Sequence, residues 1–359
     1  MQTTPTSKGY GDILIYGANG YTADLIIKLA QSEGAKPVLA GRNPEKLGAL
    51  ANQHGLEAKA FALENPAVIA KNLAGISVVL NCAGPFTRTA EPLARACMKV
   101  GAHYLDITGE FGVFEALASL GTTAQASNAM LMPGVGFDVV PSDCLASHMK
   151  RRMPDATSLT MAFQALGQLS HGTATTIVEN VNKGGCVRRG GKLVTVPPAS
   201  SMRDVDFGDG PVRTMCIPWG DISTAWHSTQ IPDIEVFMAA PLPLRLMSYV
   251  ARYTGGLLGS GPVQRFLKKQ IDAAPAGPDA DSRKRGRSLL WAEVRNARGQ
   301  SMRTRLTTVE GYTLTAVTAW DVAKRAANGE ARAGFRTPSM VFGPDYILNF
   351  AGSTRSDID

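Results

Sequence analysis

Residues 13–23 read ILIYGANGYTA, and residues 39–43 read LAGRN. Ile13–Tyr16 is a short apolar run of the kind that forms a buried strand. Gly17-Ala18-Asn19-Gly20-Tyr21-Thr22-Ala23 follows directly and opens a stretch of helical periodicity, Tyr21–Gln31. Strand, glycine turn and helix in that order make a G-x-x-G-x-x-A phosphate loop. Gly17 permits the tight turn, Gly20 lets the backbone approach a pyrophosphate, and Ala23 is small enough for the helix to lie on the sheet. The free N–H groups at the helix start favour an anion. This predicts a dinucleotide site that includes Gly17, Asn19, Gly20, Tyr21 and Thr22; a purely structural glycine turn is the alternative.

The pattern repeats downstream. Pro37–Ala40, Lys59–Ala62, Ser77–Ala83, His103–Ile107 and Ala129–Met132 read as further strands. Pro44–His54, Glu91–Val100 and Phe111–Ala126 read as helices between them. Alternating apolar strands and helices imply a parallel sheet covered on both faces. After about Pro141 the rhythm changes. Ser158–Gln164, Lys192–Val196, Val212–Ile217, Ile234–Ala239, Ser288–Asn296 and Ser301–Thr308 read as strands between Gly and Pro turns, which suggests an antiparallel sheet. Helices are expected at Thr173–Lys183, within Leu242–Lys269 and at Tyr312–Ala327, and Ala273–Asp281 has loop composition. The expected fold class is therefore α/β: an N-terminal Rossmann doubly wound sheet over residues 1–140, then an α+β substrate domain with a mainly antiparallel sheet over 141–312.

Arg42 identifies the cofactor. NAD binders carry an acid near the end of the second strand to hold the ribose 2′-hydroxyl, whereas an arginine there pairs with a 2′-phosphate. No acid precedes Arg42 in LAGRN, so Arg42, with Asn43 and Lys46, is expected to select NADP(H). A solvated arginine with Asn43 as a helix cap is the alternative. Cys82, Ala83, Gly84 and Pro85 close the fourth strand, where small residues let a cofactor lie against the backbone.

The bulk composition agrees. The chain has 359 residues, 44% hydrophobic and 19% charged, enough for about two domains. A net charge of +7 suits an anionic ligand, and no nucleic-acid motif accompanies it. The five cysteines are odd in number and form no CxxC pair, so neither a disulfide framework nor a metal site is expected, and the compartment is read as the reducing cytoplasm. The stretch Phe237–Leu258 is apolar but interrupted by Arg245 and Arg252. It reads as packed helices, with a helix at the membrane surface as the alternative.

Catalytic candidates are local. None of the eight tyrosines has a lysine four residues on, and neither a Gly-x-Ser-x-Gly elbow nor a His-Glu-x-x-His motif occurs. Asp106 and Glu110 follow the fifth strand, where they face the crevice or serve as capping and surface acids. Ser142 and Asp143 read as helix caps or as catalytic groups. His171 is a proton donor near neutral pH or a structural histidine.

Together GANGYTA, LAGRN, VVLNCAGPF, GAHYLDITGE, PGVGFDVVPSD, HGTATTIVENV, EGYTLTAV and GFRTPSMVFG resemble the saccharopine dehydrogenase-like oxidoreductases. The likeness is greatest to the short bacterial branch that includes the trans-acting enoyl reductases. It runs from about residue 10 to 345. It implies NADP(H), and a C-terminal segment, 313–359, returning to the Rossmann domain. It also implies an apolar substrate, such as an α,β-unsaturated acyl thioester. Ala23 departs from the glycine common in the family. Expected partners are the acyl substrate, an acyl carrier protein or a membrane surface, and a second copy of the chain. A dehydrogenase of an amino-acid or imine substrate is the alternative activity, and a non-catalytic NADP-binding sensor or lipid-associated protein is the alternative class.

Overall fold

The computed structural model describes Tyr10 and residues 12–166, 185–197, 200–240 and 277–358. The chain divides into two compact units. The first comprises the described residues to Thr108, with Ala116–Gly136 and Thr315–Arg336; the second comprises Gly109–Glu115, Phe137–Leu314 and the residues from Thr337 onward.

The strands of the first part of the chain are β1 (Ile13–Tyr16), β2 (Val38–Gly41), β3 (Ala58–Ala60), β4 (Val78–Asn81), β5 (His103–Asp106) and β6 (Met130–Met132). The next are β7 (Ala156–Leu166), β8 (Gly185–Arg189), β9 (Lys192–Val196), β10 (Met202–Asp206), β11 (Pro211–Cys216) and β12 (Asp233–Ala239). The last are β13 (Arg287–Asn296), β14 (Ser301–Val309), β15 (Gly334–Phe335) and β16 (Thr354–Asp357). The helices that matter below are α1 (Tyr21–Ser32), α2 (Pro44–His54), α3 (Pro66–Asn72), α4 (Phe86–Val100), α5 (Phe111–Ser119), α6 (Gly121–Ala126) and α7 (Val140–Arg152). After them come α8 (Asp221–Thr229), α9 (Ala280–Arg285), α10 (Gly311–Arg325) and α11 (Pro338–Phe342).

In the first unit the sheet order is β15-β6-β5-β4-β1-β2-β3, and every pairing is parallel. Six of these strands follow the doubly wound order 3-2-1-4-5-6. The apolar runs explain it: every residue of β1, β2 and β4 is buried, as a strand covered on both faces must be. The two-residue strand β15 adds to β6, Gly334 opposite Met130.

In the second unit the order is β10-β11-β12-β7-β13-β14-β16, with β8 bonded to β12 and β9. β7 and β12 run parallel, and the other pairs are antiparallel. One face buries Ala162, Val187, Val205, Phe207, Phe237 and Trp291. Arg203 stacks over Trp291 at 4.9 Å and reaches the buried Glu293 at 3.0 Å.

Differences from the sequence reading have local causes. The expected helix over Phe111–Ala126 is two helices, α5 and α6, broken at Leu120. Helix α4 begins at Phe86 rather than Glu91: Pro92 looks like a first-turn proline but lies inside the helix. The helices expected at Thr173–Lys183 and Leu242–Lys269 lie outside the described residues, as do residues 273–276 of the expected Ala273–Asp281 loop, whose last two residues instead open helix α9 behind the cap Asp279. No helix among the described residues is long and apolar enough to cross a membrane.

Candidate functional site

Within the first unit, the phosphate loop and the end of β2 border a cleft of about 530 Å³. Gly17, Asn19, Arg42, Asn43, Lys46 and Ala83 line it, with Tyr16, Gly41 and Pro44. Gly17 has φ +83, the left-handed region that favours glycine. A Cβ there would also meet the backbone of Ala83 at 2.7–2.8 Å. Helix α1 starts at Gly20 with no side-chain cap, which leaves its first N–H groups to a ligand. Ala23 is fully buried, as helix-on-sheet packing requires.

Arg42 and Lys46 are exposed, and neither side chain makes a hydrogen bond or ion pair with another described residue. Asn43 caps α2, its Oδ1 accepting the Lys46 N–H at 2.9 Å. Both readings of Asn43 therefore coexist: it caps the helix and borders the cleft. Tyr16 forms a floor that the motif alone does not disclose. Its hydroxyl donates to the Phe61 carbonyl at 3.1 Å, and burial pushes its pKa up to about 12. Its position as the last residue of β1, next to Gly17, was the available signal.

The other expected cofactor residues sit around the cleft rather than in its lining. Gly20 is exposed at the start of α1, Tyr21 and Thr22 are half-buried in its first turn, and Gly84 is exposed. Cys82 and Pro85 are half-buried in the loop after β4. Burial raises the Cys82 thiol pKa, and Asp106 adds to the rise, so the group is not a ready nucleophile.

Asp106 belongs to a buried polar network at the carboxyl ends of β4, β5 and β6. The Tyr104 hydroxyl donates to its Oδ2 at 2.8 Å. The N–H groups of Thr108 and Gly134 donate to its Oδ1 at 3.0 and 2.9 Å. Asn81 donates to the Tyr104 hydroxyl and to Thr89 Oγ1, each at 3.1 Å, and accepts the Ala83 N–H at 3.0 Å. Asp106 is fully buried, and its carboxylate pins the loops after β5 and β6 through Thr108 and Gly134. Glu110 is half-buried in the second unit, and His171 lies outside the described residues.

Among the described residues of the second unit, Asp138, Asp143 and Asp221 have carboxyls whose pKa burial raises. Asp138 lies against Gly109 so closely that a Cβ on that glycine would be 2.9 Å from its Oδ2. No described residue hydrogen-bonds its carboxyl, and burial raises its pKa to about 7. Asp221 is raised to about 8, first by burial and then by repulsion from Asp143 and Asp138. The Ser142 hydroxyl donates to Asp221 at 2.6 Å. Asp143 accepts the Ser339 N–H at 2.7 Å, so it caps α11 rather than its own helix. The run GFDVVPSD carried Asp138, but that its half-buried carboxyl has no hydrogen-bond partner among the described residues is visible only in three dimensions.

Residues 13–132 match the family model of the saccharopine dehydrogenase NADP binding domain. That stretch belongs to this domain family. Its cofactor is NADP(H), and the cradle at Gly17 and the unpaired Arg42 fit that nucleotide. The trans-acting enoyl reductase of Mycobacterium ulcerans is 34% identical over 149 residues, 39% of this chain and 36% of that protein. The Mycobacterium leprae protein of the same name is 35% identical over 150 residues, 40% of this chain and 36% of that protein. A saccharopine dehydrogenase-like oxidoreductase of Arabidopsis thaliana is 29% identical over 165 residues, 40% of this chain and 35% of its own. The matched stretch thus spans about a third of these relatives' length. Apo saccharopine dehydrogenase (L-Glu forming) from Saccharomyces cerevisiae shares the fold, with a TM-score of 0.63 at 13% identity over 97% of this chain and 99% of that one.

Proposed function

We propose that the protein is an NADPH-dependent oxidoreductase that reduces the carbon–carbon double bond of an α,β-unsaturated acyl substrate. The observation that carries the reading is the exposed, unpaired Arg42 at a phosphate-loop cleft in a saccharopine dehydrogenase NADP-binding domain. NADPH, when bound, supplies two electrons and a hydrogen to the β-carbon, while a proton goes to the α-carbon and the double bond becomes single. The backbone at Gly17 and Gly20 seats the pyrophosphate, and Arg42 with Lys46 holds the 2′-phosphate. Asn81 and Asp106 fix the loops around them. Asp138 provides the proton: with a pKa of about 7, half of it is protonated at neutral pH, where general acids work well. The mycobacterial relatives' name supports the acyl substrate.

The test is NADPH oxidation by the purified protein with 2-enoyl thioesters, followed by loss of nicotinamide absorbance. The proton donor must be in its acid form, so kcat falls about tenfold per pH unit above its pKa. Asp138→Asn abolishes that alkaline limb and lowers kcat about a hundredfold or more. A rate that stays flat as pH rises through the Asp138 pKa removes Asp138 as the donor. Tight NADPH binding without turnover of any enoyl or imine substrate favours a non-catalytic NADP-binding protein.

A further inference from the structure

We propose that Thr89 is a positioning residue for the nucleotide: its hydroxyl holds Ala83 against the phosphate loop, and through Ala83 it sets the affinity for NADPH. The proposal rests on the cofactor site and is independent of the acyl substrate. Ala83 lines the cleft, and Thr89 reaches it from near the start of α4. The Thr89 Oγ1 donates to the Ala83 carbonyl at 2.7 Å and accepts from the Asn81 amide at 3.1 Å. The Asn81 Oδ1 accepts the Ala83 N–H at 3.0 Å. Ala83 is thus held at both ends, its N–H by a side chain of β4 and its carbonyl by a side chain of α4.

The directions of these bonds are fixed by groups that have no choice. A backbone N–H can only donate, and a carbonyl can only accept. The Ala83 N–H therefore turns the oxygen of the Asn81 amide toward itself, and the Ala83 carbonyl takes the Thr89 proton. The two N–H groups of Asn81 then go to Thr89 Oγ1 and to the Tyr104 hydroxyl, the latter at 3.1 Å. Tyr104 is left to donate its own proton to Asp106 Oδ2, at 2.8 Å. Every side-chain donor of Asn81, Thr89 and Tyr104 is in use, so none of the three can turn without breaking bonds to its neighbours.

What this circuit holds still is the contact between Ala83 and Gly17. A Cβ on Gly17 would lie 2.7–2.8 Å from the nitrogen, Cα and Cβ of Ala83, so the two segments touch. Without the Thr89 hydroxyl, the Ala83 carbonyl loses its side-chain donor and one Asn81 N–H loses its acceptor. Asn81 is fully buried, where an unpaired donor is costly, and the loop after β4 shifts to satisfy it. Binding must then bring the loop back to the wall of the cleft, a step that the preorganised wild type does not need. The loss appears as weaker affinity.

The test is titration of the full chain with NADPH, followed by nicotinamide fluorescence, for the wild type, Thr89→Val and Thr89→Ser. Valine keeps the shape and loses the hydroxyl, whereas serine keeps the hydroxyl. Thr89→Val should bind NADPH about tenfold more weakly, and Thr89→Ser should stay within about threefold of wild type. Thermal unfolding without nucleotide is measured alongside, and each titration is made well below the variant's own midpoint. A loss of stability alone then leaves the dissociation constant unmoved. Should Thr89→Val not fold, Thr89→Ala takes its place with the same expected weakening. Wild-type NADPH affinity in the folded variant without the hydroxyl overturns the proposal and leaves Thr89 a structural residue. Equal weakening in the valine and serine variants overturns it as well, because the hydroxyl is then not the cause. A wild type that binds no NADPH sinks the cofactor site itself, and the positioning role with it.

Discussion

Gly17 and Ala83 touch backbone to backbone: a methyl carbon on residue 17 would sit 2.7 Å from the Ala83 nitrogen. The loop after β4 is thereby seated on the phosphate loop. Gly17→Ala combines that clash with a positive φ, and it should destabilise the fold by about 1–3 kcal/mol in equilibrium denaturation. Gly20 differs. Its φ is −81, and a Cβ would lie 3.3 Å from the Gly17 carbonyl. Gly20→Ala should keep near wild-type stability yet bind NADPH at least about tenfold more weakly, since the methyl stands where the pyrophosphate approaches. Undiminished NADPH binding in Gly20→Ala would mean that the loop does not seat the pyrophosphate.

Arg42 tests the cofactor choice. Its guanidinium has no partner among the described residues, so its removal leaves no internal charge stranded. Arg42→Ala should weaken NADPH by about 1.5–3 kcal/mol, the range for hydrogen bonds to charged groups, with NADH unaffected. Parallel titrations of both nucleotides give the answer, and equal losses for the two would point to a disturbed loop instead.

Asp106 separates a structural acid from a catalytic one. Truncation to Ala strands the Tyr104 hydroxyl and the N–H groups of Thr108 and Gly134. Each such buried group costs about 1–3 kcal/mol when unpaired, so Asp106→Ala should lose several kcal/mol of stability. Calorimetric unfolding checks this. A variant that keeps wild-type stability but loses turnover would return Asp106 to the catalytic candidates.

Asp221 links stability to pH. Its folded pKa of about 8 lies above the ordinary carboxylate value, so its contribution is full at acid pH and falls as pH rises through that folded value. The protein should be less stable at about pH 9 than at pH 5. Asp221→Asn keeps an oxygen for the Ser142 hydroxyl and cannot ionise. It should remove at least about 1 kcal/mol of that pH dependence in denaturation curves. An unchanged pH profile in the variant would assign the effect to another group.

The doubly wound sheet was legible because its strands are short apolar runs separated by glycine turns and helices. The polar elements were harder to read. Strand β8, GCVRR, hides a buried Arg188 that breaks the apolar pattern while donating to Glu115 at 2.6 Å. Strand β16 reads TRSD and shows no apolar face. Helix α3 carries a single buried residue, Ile69. The parallel pairing of β7 with β12 joins distant segments, which local periodicity cannot disclose. For the site, GANGYTA and Arg42 were readable because each residue's chemistry follows from its own position. Asp138 was not, since its raised pKa comes from what surrounds it. Asp106 read equally as a crevice acid or a cap because the sequence does not show that Tyr104, Thr108 and Gly134 converge on it.

Strand β15 has a further consequence. The parallel sheet that begins with β1 is completed by residues 334–335, which leave the ribosome only after β14 of the second sheet. During synthesis the outer edge of β6 therefore stays open while β7 to β14 of the second sheet are being made. An unpaired edge of that kind can recruit the wrong strand. Folding yield in the cell should accordingly depend on how quickly the chain beyond β14 emerges, and a pause placed there should increase aggregation without altering the finished protein.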